Sequence, residues 1–363
     1  MNNIALKDFL TFLKTCSQTP RIVDYRRRNS SGRHSERLIL VLLMMVMGVY
    51  CASAAIPGTV LECTRDSNGG APQYNHAIYL PANYDAEDAT NRHPLYIMFG
   101  GYTGVEMTAH QIRSMWSIMT RVEGGKLPAL VDAGCIVVCA ELLINGGKTN
   151  QNPGDIVTGS DWPNIRTKKI HLFVNELKTK YRVDRSRIYI TGHSWGAAGA
   201  AAYVQDYGDA DSIAAVGPNE CGWSKSGGYS NYVHMATWFY EGYYDSVTKP
   251  GYTISLMNRI ADAMSGKTGS DLMANCPYVL RFNERGSVTN IVDRDGAGVV
   301  APKTLTALYM TGSGWMWTEG TNYNATNRLK YTLFPTDRKK NHVQSSVLDD
   351  DFYSKWLLKQ RRF

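Results

Sequence analysis

With 363 residues and 44% hydrophobic side chains, the chain can bury a large core, enough for one α/β domain or two smaller ones. Residues 1–54 hold 8 of the 39 Lys and Arg and 3 of the 32 Asp and Glu, so residues 55–363 carry 31 against 29 and the formal +7 falls to +2. The basic character thus belongs mostly to the first stretch, no argument for nucleic-acid binding follows from it, and no nucleic-acid partner is expected. The lack of a paired C-x-x-C, an H-E-x-x-H or a phosphate-binding glycine loop predicts no catalytic metal and no nucleotide or other cofactor.

The first stretch reads as an address. Arg21, Arg26, Arg27, Arg28, Arg33 and Arg37 precede an unbroken apolar run at 38–50, and small residues at 52–55 fit cleavage after Ala54. The run is short for a membrane span and suits a signal-peptide core, which predicts a secreted or extracytoplasmic protein. An anchor through 38–50, or a start assigned too early, are the alternatives. Residues 55–363 are expected to form a single domain.

That part alternates strands and helices. Residues 59–65 and 76–81 read as a paired entry, and PLYIMFGG (94–101) as a central parallel strand ending in glycines. Residues 107–122 have helical spacing, CIVVCAELL (135–143) is a strand, and 145–161 is a Gly-, Asn- and Pro-rich loop. A helix with one apolar face covers 165–181. Strands follow at 187–191, 213–218 and 235–240, then a helix at about 252–266, a strand at 328–335 and a last helix at 350–360. Strands separated by helices imply a mostly parallel sheet covered on both faces. The irregular stretch at about 270–327 is too long for a connection and reads as an insertion near the site.

Chemistry concentrates in RIYITGHSWGAAGAAAY (187–203). A β-prone run enters Gly192-His193-Ser194-Trp195-Gly196, and a small-residue helix follows, the context a G-x-S-x-G nucleophile elbow requires. Ser194 is thus the candidate nucleophile, with glycines where a Cβ would collide with neighbouring backbone. A serine hydroxyl needs a base to take its proton and a carboxylate to hold that base. After Ser194 the chain has His234 and His342, and His234 precedes the best acid, so His342 is the candidate base. Asp245, just past the strand 235–240, is the candidate acid, with Glu241, Asp293 and Asp295 as competitors. An oxyanion would rest on the Trp195 N–H and on Gly101 or Tyr102 after the 94–101 strand. His193 reads as a packing or pocket residue. Trp162, Trp223, Trp315 and Trp317 are candidates to line a groove for an aromatic or sugar-bearing substrate.

Removing the leader leaves Cys63, Cys135, Cys139, Cys221 and Cys276; one or two disulfides fit an oxidising compartment, with Cys221–Cys276 one pairing. Cys135 and Cys139 sit in an apolar run and read as buried strand residues. Asn324-Ala325-Thr326 is a glycosylation sequon in a eukaryotic host.

Taken in order, IYLPANYD, PLYIMFGG, YRVDRSRIYITGHSWGAA, IAAVGPNECGW, WFYEGYYDSV, KYTLFP with NHVQ, and DFYSKWLLKQRR resemble the α/β-hydrolase superfamily from about His76 to Arg361. More narrowly they are similar to secreted serine esterases of the feruloyl/acetyl-xylan esterase and polyhydroxybutyrate depolymerase-like group, including members called predicted peptidases. The resemblance implies an α/β-hydrolase fold and a triad of Ser194, Asp245 and His342 cleaving carboxylic esters through an acyl-enzyme. It departs from the family pattern at Phe99-Gly100-Gly101, where His-Gly is usual, and at Ala197-Ala198, where Gly-Gly is common. The expected partner is an ester substrate, aromatic or polysaccharide-linked. A serine peptidase on the same triad, and a non-catalytic glycan- or surface-binding protein on the same fold, are the competing readings.

Overall fold

The computed structural model describes residues 56–66, 70–142, 167–221, 227–242, 245, 247–248, 253, 256–257, 259–260, 263, 278–282, 288–293, 306–311, 314–319, 329–334, 342 and 351–362. All of these belong to one compact unit, Ala52–Phe363. The leader 1–54, Trp162, Trp223, Cys276, Asp295 and the sequon lie outside the described residues.

The strands are β1 (Val60–Cys63), β2 (His76–Tyr79), β3 (His93–Phe99), β4 (Ile136–Ala140), β5 (Val183–His193), β6 (Ala215–Asn219) and β7 (Ala236–Gly242). They continue as β8 (Tyr278–Phe282), β9 (Val288–Asp293), β10 (Thr306–Thr311), β11 (Gly314–Glu319) and β12 (Leu329–Phe334). Ten of them form one open sheet in the order β1-β2-β4-β3-β5-β6-β7-β12-β10-β11, and β8 and β9 form a separate antiparallel pair. The six strands from β4 through β12 run parallel; β1, β2, β10 and β11 join antiparallel at the two margins.

Alternation along the strands splits the core into two layers. Leu95, Ile97 and Phe99 of β3, with Ile136, Val138 and Ala140 of β4, face one layer, where α4 (Thr167–Lys180) contributes Ile170, Phe173 and Leu177. Tyr96, Met98, Val137 and Cys139 face the other, packed by α1 (Ala109–Met115), α2 (Ser117–Glu123), α3 (Pro128–Asp132) and the closing α6 (Asp351–Leu358). The central strands are buried on both faces because helices cover both. α5 (Trp195–Tyr207) is nearly all Ala, Gly and aromatic and is buried around most of its circumference; its small residues let it lie close against β5 and β6.

Three local features depart from the sequence reading. The helix expected at 107–122 is two helices, broken at Trp116, whose backbone is extended (φ −87°, ψ 105°). The break turns its indole under Gly100 at the end of β3, filling the space a side chain there would need. A short helix, α3, forms at Pro128, whose missing N–H costs nothing in a first turn. The 270–327 stretch, expected to be irregular, contains β8 through β11. Its runs YVLRF, VTNIVD, TALYMT and GWMWTE are rich in β-branched and aromatic residues, which favour the pleated, paired state.

Cys135 and Cys139 are buried in the core as expected, and burial pushes the Cys135 thiol up to about 12 and Cys139 well above its ordinary value. Among the described residues no helix is long and apolar enough to cross a membrane.

Candidate active site

Because β3, β5, β6, β7 and β12 are parallel, the loops after Phe99, His193, Asn219, Gly242 and Phe334 all leave the sheet at one edge. Those loops carry Gly101, Ser194, Glu220, Asp245 and His342. This is the edge at which open α/β sheets hold their ligands.

Ser194 sits in the turn between β5 and α5 with φ 55° and ψ −117°, a region a serine occupies only when its surroundings force it. The Ser194 N–H donates to Asn219 O at 3.0 Å, and its carbonyl accepts from Ala198 N–H at 3.0 Å. The flanking glycines are required: a Cβ on Gly192 would press into the Gly196 carbonyl, and one on Gly196 into the carbonyls of Phe99 and Gly100. The Ser194 side chain has no hydrogen-bond partner among the described residues, and Trp195 opens the first turn of α5 beside it. Gly100 N–H is taken by Ala140 O at 2.9 Å, whereas Gly101 N–H has no partner among the described residues. Gly101 also packs against His193 and Trp116, where a Cβ would come within 3.0 Å of His193 Nδ1. Tyr102, half exposed, meets Trp195 edge-on with ring centres 6.1 Å apart.

Asp245 and His342 meet across 97 residues of chain: His342 Nδ1 lies 2.8 Å from Asp245 Oδ2. Asp245 is buried and saturated with donors. Its Oδ1 accepts from Val247 N–H at 2.7 Å and Thr248 N–H at 2.9 Å, and its Oδ2 from Thr248 Oγ1 at 2.6 Å. Burial alone would raise its pKa, but the bond to His342, that ring's charge and the Thr248 donors outweigh burial and leave it lowered. For His342, burial works against the charged form. The Asp245 bond and the charges of Glu220 and Asp245 overcome it, and the imidazole pKa is raised.

Two further acids surround this pair, and sequence reasoning gave neither of them this place. Glu220, fully buried just past β6, brings Oε2 to 3.0 Å from His342 Nδ1 and 2.9 Å from His193 Nε2. The rings of His193 and His342 stand 4.8 Å apart. Glu241, at the end of β7, is also fully buried; burial and the nearby charges of Asp245 and Glu220 hold it well above the usual carboxylate range. Its contacts agree. Thr253 Oγ1 lies 2.7 Å from Cys221 O and 2.6 Å from Glu241 Oε2, and a hydroxyl has one proton. The carbonyl can only accept, so the Thr253 proton goes there and the second contact needs a proton from Glu241. Glu241, weighed in the sequence as a competing acid, therefore acts as a neutral donor behind Asp245. The signal for Glu220 was present: a carboxylate at a strand end facing the same crevice as Asp245.

His193, Glu220 and His342 each offer a potential metal-ligand atom, all within 4.8 Å of one another. His193 Nε2 donates to Glu220 Oε2, and His342 Nδ1, which is hydrogen-bonded to Asp245, lies 3.0 Å from the same Glu220 oxygen. Trp315 and Trp317 lie on β11, the margin strand five positions from β5, about 24 Å away at ordinary strand spacing. Asp293 lies on β9 of the separate hairpin.

No family model matches the chain, and no curated protein sequence does. Solved structures share its architecture. A thermostable esterase is similar at 14% identity and a TM-score of 0.50, over 85% of this chain and 64% of its own. The chain thus spans less than two thirds of that protein. An acetyl xylan esterase from Aspergillus awamori matches at 13% identity and a TM-score of 0.43, over 82% of this chain and 99% of its own. A mutant feruloyl esterase module from Clostridium thermocellum, complexed with sinapinate, matches at 12% identity and 0.43, over 94% and 95%. At these identities the likeness concerns the fold alone. With the parallel strand order and the turn at Ser194, the match to the first of these defines the class: this chain has the α/β-hydrolase fold.

Proposed function

We propose that the protein is a secreted serine hydrolase that cleaves carboxylic esters through an acyl-enzyme. The observation that carries this reading is the hydrogen-bonded Asp245–His342 pair, delivered to the sheet edge where Ser194 is held in a strained turn. In this reading Asp245 fixes the His342 tautomer with its proton on Nδ1, which leaves Nε2 to take the Ser194 proton. The serine oxygen attacks the ester carbonyl. The resulting oxyanion is met by the Trp195 N–H at the start of α5, where partial positive charge collects, and by the Gly101 or Tyr102 N–H. His342 then protonates the leaving alcohol, and water repeats the sequence on the acyl-enzyme. Such hydrogen bonds are commonly long in free enzymes and tighten around substrate, which accommodates a Ser194 hydroxyl with no partner among the described residues. Half-exposed Tyr102 against Trp195 supplies an apolar lip for the acyl group. Secretion rests on the basic-then-apolar leader.

The test is a fluorophosphonate probe followed by an ester panel (acetyl, feruloyl, hydroxybutyrate) on the chain beginning at Ala55. Wild type should label and cleave esters; Ser194→Ala should do neither. An unlabelled wild type with no ester turnover points to a non-catalytic binding protein. Faster cleavage of a peptide amide than of p-nitrophenyl acetate points to a peptidase.

A further inference from the structure

Resting on the Ser194–His342 reading, we propose that Glu220 is a positioning residue for His342, a second carboxylate sharing with Asp245 the task of keeping the imidazole proton on Nδ1. His342 Nδ1 is hydrogen-bonded to Asp245 Oδ2 at 2.8 Å and also lies 3.0 Å from Glu220 Oε2, close enough for a small turn of the ring to redirect its proton. A triad needs one carboxylate at this position; here two stand within 3.0 Å of Nδ1, carried by the loops after adjacent strands β6 and β7.

Four observations favour a working role over incidental packing. Glu220 is fully buried, a position carboxylates rarely occupy without partners. Its backbone is left-handed, with φ 53°, a conformation that costs a residue with a Cβ free energy and persists only where the surroundings impose it. The Glu220 N–H donates to Tyr240 O at 2.7 Å, and this anchor aims the side chain back over the sheet edge. Finally, His193 gives Glu220 its Nε2–H, while its own Nδ1 is buried with no partner among the described residues. One carboxylate oxygen thereby ties the residue before Ser194 to the ring that serves Ser194.

Among the described residues, the groups facing His342 are Glu220 after β6, His193 at the end of β5, Asp245 and Thr248 after β7, and Glu241 behind Asp245. Of these, Glu220 and Asp245 bring acceptor oxygens within 3.0 Å of Nδ1.

The test is the rate of Ser194 labelling by a fluorophosphonate, measured across pH for wild type, Glu220→Gln, Asp245→Asn, the double variant and His342→Ala. In Asp245→Asn the new amide N–H faces Nδ1, so the useful tautomer survives only by turning its proton to Glu220. The expected loss is at most about 10²-fold, against the roughly 10⁴-fold of a triad with a single acid; the double variant should reach the larger loss. Glu220→Gln keeps an acceptor for His193 but removes a charge favouring the imidazolium, so the acidic limb of the rate profile moves to lower pH by about 1. An Asp245→Asn variant as slow as the double variant, or a Glu220→Gln limb that stays in place, overturns the proposal. Asp245→Asn keeps Glu220 intact and decides the matter alone if Glu220→Gln does not fold. If wild type is unlabelled, or His342→Ala labels at the wild-type rate, the triad reading falls and this proposal with it.

Discussion

Gly192→Ala probes the elbow most directly, because one methyl group meets backbone that cannot swing aside. An ideal Cβ at Gly192 would stand 2.6 Å from Ala197 N and closer still to the carbonyl of Gly196. A relaxed carbon–oxygen contact is about 3.3 Å, so the end of β5 and the start of α5 would have to part by roughly 1 Å. Overpacking of this kind costs about 1–3 kcal/mol. In a domain of this size each kcal/mol lowers the melting point by about 2–4 °C. The catalytic penalty is larger, since the same movement carries the Trp195 N–H and Ser194 away from the Gly101 loop, and a 1 Å misplacement costs about 10²-fold. The assay pairs a far-UV melt with the fluorophosphonate labelling rate. Gly125→Ala is the control: Gly125 has a positive φ, of 67°, which Gly192 does not, and nothing among the described residues lies within 4 Å of its would-be Cβ. It should lose some stability and keep the labelling rate. A Gly192→Ala protein that melts and labels like wild type would refute the steric account of the turn.

Other expectations follow from the buried charges. Since the His342 pKa is raised above 6.5 and only the neutral ring can take a proton, the acidic limb of ester kcat/KM should have its midpoint above pH 6.5; a midpoint below it would contradict the paired carboxylates. Glu241 has a folded pKa raised above its unfolded value, so its contribution to stability is full below the unfolded value and is lost as pH rises through the folded one. Glu241→Gln, which keeps a donor for Thr253, should therefore gain stability over wild type from pH 5 to pH 8, at about 1.4 kcal/mol for each pH unit separating the two values; a pH-independent offset in urea melts would show that the acid is ionised. Asp211 accepts from Lys178 Nζ at 2.7 Å, His171 Nδ1 at 2.6 Å and Tyr203 OH at 2.5 Å, far from Ser194 along α4 and α5. Asp211→Asn should cost about 1–3 kcal/mol of folding free energy, because the half-buried Lys178 loses its charged partner and the hydrogen bonds from His171 and Tyr203 lose a charged acceptor, while the folded fraction labels at the wild-type rate.

Much of this molecule could be read from the chain alone. The apolar runs at 94–101, 135–143, 187–191, 213–218 and 235–240 read as strands because they are short, apolar and interrupted by helical or turn-rich segments, and the glycines around Ser194 mark a turn in which a Cβ would meet backbone. Strand-end position singled out Asp245, and elimination singled out His342, though neither could establish that they touch. Local pattern was weakest where tertiary contacts overrode it. Trp116 breaks a helix because its indole is needed under Gly100, and β10 and β11 gain their pairing from a sheet built by distant segments. The cluster of Glu220, His193, Asp245 and His342 is the clearest case. Its members are spread from residue 193 to residue 342, so no periodicity links them. Only the parallel order of β5, β6, β7 and β12 brings their loops to one edge, and only burial there turns two carboxylates and two imidazoles into partners for the same protons.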